Sequence, residues 1–247
     1  MASMLSDDEL DRYARHIVLK EIGGAGQMRL KAAKVLLIGA GGIGAPAALY
    51  LSAAGVGTIG LIDDDTVSLS NLQRQVIFRT EDIDTPKVEA AAAHLKALNP
   101  HSEIVPLNLR LTEANAADII GDYDMVLDGC DNFETRHLVS RTCLALNKPL
   151  ISAALGRFSG QVSVFVGKPC YQCLVPDIPP DAETCERMGI VGALAGIIGT
   201  MAALEVIKLL TGAGQTLIGK LLIFDGLTLS SRIVSLPSEP DCPACGQ

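Results

Sequence analysis

Short, nearly unbroken apolar runs recur along the first 153 residues, with stretches of helical period between them. The runs are "KVLLIG" (34–39), "TIGLID" (58–63), "EIVPLN" (103–108), "DMVLDG" (124–129) and "PLISA" (149–153), each of strand length. Helical spacing of apolar positions occupies 43–54, 86–98 and 133–147. This alternation predicts βαβ units, and hence a Rossmann-like, doubly wound α/β fold with a mainly parallel sheet. Three later runs, "GQVSVFVG" (160–167), "KLLIFD" (220–225) and "RIVSL" (232–236), have no helical pattern between the last two. They are expected as antiparallel strands that extend the sheet or form a small second one.

Two helical patterns lie outside that alternation. The amphipathic stretch 7–20 precedes the first strand and is placed where it could pack on a neighbouring chain rather than on its own sheet. "IVGALAGIIGTMAALEVIKLL" (190–210) is the most apolar segment, but Glu205 and Lys208 interrupt it and its charge-free part is short for a membrane span. A buried helix at a subunit contact is expected, with no membrane partner. The segment "LVPDIPPDAETCERMGI" (174–190), proline-rich and aperiodic, is expected as a long exposed loop.

Composition narrows the classes. A chain of 247 residues, 49% hydrophobic, is ample for one large domain. Its formal charge of -8 and the lack of a long basic run argue against a nucleic-acid surface. The acidic start "MASMLSDDELDRYARHIVL" has neither the basic end nor the apolar core of a secretory signal, so a cytoplasmic location is expected. The seven cysteines are an odd number, and Cys170, Cys173, Cys242 and Cys245 form two C-x-x-C pairs. Reduced thiols holding a metal are favoured over disulfides, and four thiolates would fill a tetrahedral, structural site. Cys130 and Cys143 read as buried and inert.

The chemistry is expected at the strand ends. "GAGGIG" satisfies G-x-G-x-x-G through Gly39, Gly41 and Gly44, follows a strand and opens a helix, so that backbone N–H groups are offered to a phosphate. Asp63 ends the next strand, where an acid holds ribose hydroxyls. Those features suit NAD and ATP equally. Asn71 and Arg74 in "SLSNLQRQVIF", Lys87 in "TPKVEAAAAHL", and Asp131 with Asn132 in "DGCDN" discriminate. Nucleotidyl transfer needs converging cations and an acid around the phosphates, and hydride transfer does not. Each also has an ordinary structural reading: Lys87 exposed at a helix start, Asp131 as a helix cap, Arg74 paired with nearby acids. His16, His94, His101 and His137 are scattered and read as surface or packing residues, and Arg136 is placed for a helix-surface salt bridge or for the site.

"GAGGIG", "DDDTVSLSNLQRQ", "TPK", "DGCDN", "CYQC", "TC" and "CPACG", in this order between about Asp7 and Gly246, resemble the prokaryotic relatives of ubiquitin-activating enzymes, the MoeB/ThiF family of sulfur-carrier adenylyltransferases. The resemblance implies a homodimer that uses ATP and Mg2+ to adenylylate the C-terminal glycine carboxylate of a ubiquitin-like sulfur carrier, releasing pyrophosphate. It places Gly42 and its neighbours on the phosphates and Asp63 on the ribose. Asn71, Arg74 and Lys87 fall on the triphosphate, with Ser70, Leu72, Gln73 and Asn132 in the same nucleotide-contacting set. Asp131 is placed on magnesium, and Zn2+ on Cys170, Cys173, Cys242 and Cys245. Arg15 matches an arginine donated from the N-terminal helix of the other subunit. Cys185 matches a cysteine that is linked to a persulfide bond with the carrier in the thiamin branch and dispensable in the molybdopterin branch.

The resemblance makes the chain one adenylation domain (1–247) with an N-terminal helical arm (7–30), a nucleotide-binding half (34–153) and a carrier-binding, zinc-bearing half (154–247). "DTVSLSNLQRQ" looks like the molybdopterin enzyme and "PAALYL", "TEDIDTPK" and "IFDG" like the thiamin one, so a MoaD-like carrier is only slightly favoured over a ThiS-like one. Chain length leaves no room for a fused rhodanese domain, so sulfur is expected from a separate donor protein. The competing readings are an NAD-dependent oxidoreductase, which lacks a hydride-site partner, and a zinc-stabilised binding scaffold, which should have lost Arg74, Lys87 or Asp131. Adenylylation of a tRNA-linked carboxylate is more distant, for want of a basic patch.

Overall fold

Strand β1 (Lys34–Ile38) shows in five residues how the sheet is organised. Val35 and Leu37 point into one apolar layer and Leu36 and Ile38 into the other, and all four are buried. Burying each side chain contributes about 1.5–3 kcal/mol, so a strand apolar on both faces is stable only with helices on both sides. The computed structural model describes residues 4–178 and 189–246. Their strands form one eight-stranded sheet: β2 (Thr58–Ile62), β3 (Glu103–Leu107), β4 (Met125–Asp128), β5 (Leu150–Leu155), β6 (Ser159–Phe165), β7 (Lys220–Asp225) and β8 (Ser230–Ser235) join β1 in the order β3-β2-β1-β4-β5-β6-β7-β8.

The first five strands are parallel and the last three pair antiparallel. The late strands therefore extend the main sheet. Between β1 and β4 the strand order reverses direction, and open α/β sheets bind ligands in the crevice beyond such a point.

An N-terminal arm comes first: α1 (Asp7–Arg12), α2 (Ala14–Ile17) and α3 (Gly23–Ala32). α4 (Gly44–Ala53), α5 (Lys87–Leu98), α6 (Ala116–Gly121), α7 (Phe133–Ala145) and α8 (Tyr171–Leu174) follow, and α9 (Gly192–Thr211) precedes β7. α4, α5 and α9 supply the layer that meets Val35 and Leu37, and α6 and α7 the opposite one. α9 is long and apolar enough to cross a membrane by length and composition, yet Leu194, Ile198, Ala202 and Val206 are buried against the sheet. Its Glu205 is buried too, accepting from Leu217 N at 2.8 Å and pairing with Lys208, and Gly212 closes the helix at φ 73°.

The arm departs from the expected single helix. It breaks at Tyr13, whose ring is buried under Gly55 and whose hydroxyl accepts a 2.8 Å hydrogen bond from Asn99. Glu9 pairs with Lys31 at 2.7 Å, and Asp8 with His101. These contacts dock the arm on its own chain, and they leave Arg15, Val18 and Leu19 exposed.

Candidate active site

β1, β2 and β4 all end at one cleft of about 670 Å³. The turn after β1 demands glycine at two positions: Gly39 is at φ 91°, and a Cβ on Gly44 would fall 1.9 Å from the Gly39 carbonyl oxygen. Gly39, Gly41 and Gly42 line the cleft, while Gly44 starts α4 and lets the turn close without lining it. Ala40 N donates to Asp63 Oδ2 at 2.8 Å, which ties the turn to the end of β2. The helix N-terminus and the glycine backbone together suit an anion.

Asp63, Asn71, Arg74, Lys87, Asp131 and Asn132 also line this cleft, from four separate chain segments. Arg74 lays its stem over Gly42 and donates to the Ser70 carbonyl at 3.0 Å, and among the described residues it makes no ion pair with an acid. Asn71 is buried and closes a capping box with Ser68. Ser70, Leu72 and Gln73 do not line the cleft. Gln73 instead reaches the Ile190 carbonyl, at 3.5 Å, where the chain enters α9.

Lys87 is buried, contrary to the usual place of a lysine at a helix start. Its ammonium sits 2.8 Å from Asp65 and 3.9 Å from Asp63, and its own backbone N–H donates to Asp65 O at 2.9 Å. A cation at the first turn of α5 opposes the helix dipole, so it needs nearby negative charge. Burial pushes the Asp63 carboxyl up, opposed by Lys87 and by the N–H groups of Asp65 and Ala40. Asp63, Asp64 and Asp65 bring carboxylate oxygens within 4.8 Å of one another on the same rim. They offer hard oxygen donors of the kind magnesium prefers, and Asp131 lines the same cleft.

Asp131 is exposed at the tip of the loop after β4, and it is Asn132 that caps α7, accepting from Thr135 N at 2.8 Å. Two residues carry more of the site than sequence reading gave them. Arg136 is buried and lines the cleft, 3.6 Å from Asp128. Gln75 is buried beside Gly41 with its Oε1 unpartnered. The second glutamine of "LQRQ", beside Arg74, was the available signal for the second, and the one-turn offset from Asn132 for the first.

Arg15 is exposed on α2 and does not line the cleft of its own chain. Cys185 lies outside the described residues. Cys143 is buried, with its thiol pushed up to about 12 by burial, and burial likewise raises Cys130. The histidines have packing or surface partners: His94 meets Asp82 at 2.8 Å, His16 meets Gln27 at 3.1 Å, and His137 stacks edge-on to Tyr171.

The four paired cysteines converge away from the cleft. Their sulfurs lie within 4.8 Å of one another, with Cys170 to Cys242 at 3.6 Å and Cys173 to Cys245 at 3.4 Å. Sulfurs about 2.3 Å from a tetrahedral zinc stand close to this spacing. Burial raises the Cys170 and Cys245 thiols, whereas at Cys242 the N–H groups of Cys245 and Ala244, together with the neighbouring thiols, outweigh burial and hold the thiol down.

A family model described as "ThiF family" matches residues 13–244. The chain is 44% identical to the sulfur carrier protein adenylyltransferase of Thermus thermophilus, over 97% of this chain and 92% of that one. It is 41% identical to the SAMP-activating enzyme E1 of Haloferax volcanii, over 100% of this chain and 93% of that one. The adenylyltransferase and sulfurtransferase MOCS3 of Sus scrofa is 47% identical over 98% of this chain, which spans 54% of that protein. Among solved structures, E. coli MccB bound to MccA-N7isoASN superposes with a TM-score of 0.85 at 22% identity, over 99% of this chain and 77% of that one, a likeness of fold. The glycine turn, the cleft and the paired cysteines thus sit in a chain that belongs to the ThiF family.

Proposed function

We propose that this adenylyltransferase activates the C-terminal glycine carboxylate of a ubiquitin-like sulfur carrier. A carboxylate oxygen of the carrier attacks the α-phosphorus of ATP, the bond to the β-phosphate oxygen breaks, and the products are an acyl-adenylate and pyrophosphate. The supporting observation is the convergence of Gly39–Gly42, Arg74, Lys87 and Asp131 on one cleft at the strand-order reversal. A terminal carboxylate has a pKa of about 3.3–3.7 and is already ionised, so no general base is needed. The obstacle is repulsion between anions and the charge that grows on pyrophosphate. Arg74 and Lys87 offset both, the glycine turn holds the phosphates, and Asp63 orients the ribose. Asp131 and the neighbouring acids would hold magnesium, which supplies charge neutralisation at the phosphates.

The second half of the chain, 154–247, carries the carrier-facing surface and the zinc site, with a MoaD-like carrier slightly preferred to a ThiS-like one. A separate protein supplies the sulfur. ATP–pyrophosphate exchange that appears only when a carrier with a free Gly-Gly terminus is added tests the reading. Exchange with no carrier, or none with either carrier type, refutes it.

Exposure of Arg15 outside its own cleft supports a homodimer in which it completes the partner's site. Arg15→Ala and Lys87→Met are each expected to be inactive as homodimers. Mixing and reassociating them in equal amounts should restore about a quarter of wild-type exchange, because half of the dimers then carry one intact site. No recovery on mixing would place Arg15 in its own subunit's chemistry or outside the reaction.

A further inference from the structure

Arg15 lies between two residues that are both held by one turn of the same chain. α2 is four residues long, too short to keep its own shape in water, so its direction is set by what it packs on. Tyr13, which starts it, is 3% exposed, and its carbonyl accepts the N–H groups of His16 at 2.9 Å and Ile17 at 3.0 Å. Residues three and four apart share one face of a helix, so Tyr13, His16 and Ile17 face the body of the protein. Arg15, two positions after Tyr13, is exposed on the opposite face.

The seat is the turn that closes α4. The Tyr13 hydroxyl accepts from Asn99 Nδ2 at 2.8 Å beside it. Gln27, fully buried, donates through Nε2 to the Ala54 carbonyl at 2.8 Å and turns its Oε1 to His16 Nδ1 at 3.1 Å. With the amide nitrogen committed to Ala54, the oxygen is left for the ring, and Nδ1 carries the proton. Gly55, at φ 82°, makes this fit possible: a Cβ there would fall 2.5 Å from the Tyr13 ring and 2.8 Å from Gln27 Nε2. α4 also opens on the glycine turn of the cleft, so one helix carries the phosphate turn at its start and the seat of the arm at its end.

We propose that Tyr13 and Gln27 are positioning residues, which seat α2 on the turn after α4 so that Arg15 is presented to the partner's cleft already oriented. This rests on the reading of Arg15 as a residue given to the other subunit. A cation stabilises developing charge only as well as it is preorganised, so slack in α2 weakens adenylyl transfer without altering the cleft that receives Arg15. Tyr13→Phe is a gentle probe. The ring keeps its place under Gly55, and Asn99 keeps the Ser52 carbonyl at 2.6 Å and Ser102 Oγ at 3.4 Å.

The test places Tyr13→Phe on one or the other chain of the mixed dimers of Arg15→Ala and Lys87→Met. Their single complete site joins the cleft of the Arg15→Ala chain to the arm of the Lys87→Met chain. On the Lys87→Met chain, two residues from the Arg15 in use, Tyr13→Phe should lower the recovered ATP–pyrophosphate exchange about three- to tenfold, the effect of one net hydrogen bond. The loss should fall on kcat, with the carrier KM unchanged. On the Arg15→Ala chain the same substitution should leave the recovered rate within about twofold, inside the effect of one net hydrogen bond. Gln27→Met, which keeps most of the buried volume, should show the same asymmetry. Amide hydrogen exchange at 16–19 in the Tyr13→Phe homodimer should speed up by about the same three- to tenfold factor. A purely structural role predicts equal losses on the two chains, and that result, or no loss on either, overturns the proposal. No recovery in the parent mixture would refute the donation of Arg15, and the proposal with it. Absence of exchange in the wild type would refute the proposed activity, while unchanged amide exchange at 16–19 would refute the seat by itself.

Discussion

Lys87→Met is expected to lower carrier-dependent ATP–pyrophosphate exchange by about two to three orders of magnitude, while the protein stays folded. Removing one preorganised donor from a site of developing negative charge typically costs that much. Here the loss is aggravated by what surrounds the lysine. Asp65 lies 2.8 Å and Asp63 3.9 Å from the ammonium, so without it the phosphates enter beside acids that no longer have their shared cation. Burial already pushes the Asp63 carboxyl up, and Lys87 is the first of the influences opposing that rise, so the carboxyl moves higher still in the variant. The fold tolerates the change because Asp63 keeps the N–H groups of Ala40 and Asp65, Asp65 is largely in water, and methionine retains the buried stem. Isothermal titration with Mg-ATP and the exchange assay at saturating carrier separate binding from transfer. Exchange within tenfold of wild type would remove Lys87 from the chemistry.

Most of the architecture was legible because it depends on local pattern. β1, β2, β4 and β5 are apolar on both faces, and that marks interior parallel strands before any contact is known. The glycine turn was legible because Gly39 and Gly44 answer a steric demand within six residues. What depends on distant partners was not. The arm read as one amphipathic helix because nothing local reveals that Tyr13 is anchored by Asn99 and Gly55. The periodicity stopped at residue 20, short of α3, because "GGAGQMRLKA" holds three glycines, each costing about 1 kcal/mol in a helix interior, and is rescued by packing against α2 and α9, although the resemblance extended the helical arm to residue 30. Lys87 looked like a surface lysine because its partner is 22 residues upstream, across the entrance to α5. Arg136 shows the same limit: its position on the first turn of α7 was visible, but its partners on β5 were not.

The paired cysteines lead to the second large effect. Stripping zinc with a chelator is expected to lower Tm by about 8–16 °C, from a loss of about 4 kcal/mol at about 2–4 °C per kcal/mol for a chain of this size. The segment after β8 is otherwise joined to the body by little: Leu236 N donates to the Gly219 carbonyl at 2.9 Å, while the bonds at Cys242 and Gly246 are internal to the tail. A metal held by Cys173 and Cys242 closes a loop of about seventy residues, and the entropy of that closure in the unfolded chain sets the estimate of 4 kcal/mol. Metal analysis should find one zinc per chain, and Cys242→Ser with Cys245→Ser should reproduce the chelated Tm without responding further to chelator. A disulfide framework predicts the opposite pattern, since a reductant and not a chelator would then lower Tm. Sulfurs paired across the two knuckles at 3.6 and 3.4 Å make both arrangements reachable, so the two reagents are decisive. If neither changes Tm by more than about 2 °C, the four cysteines hold nothing together, and the tail must be kept in place by its few backbone bonds and the small apolar cluster with Leu144 and Ala244.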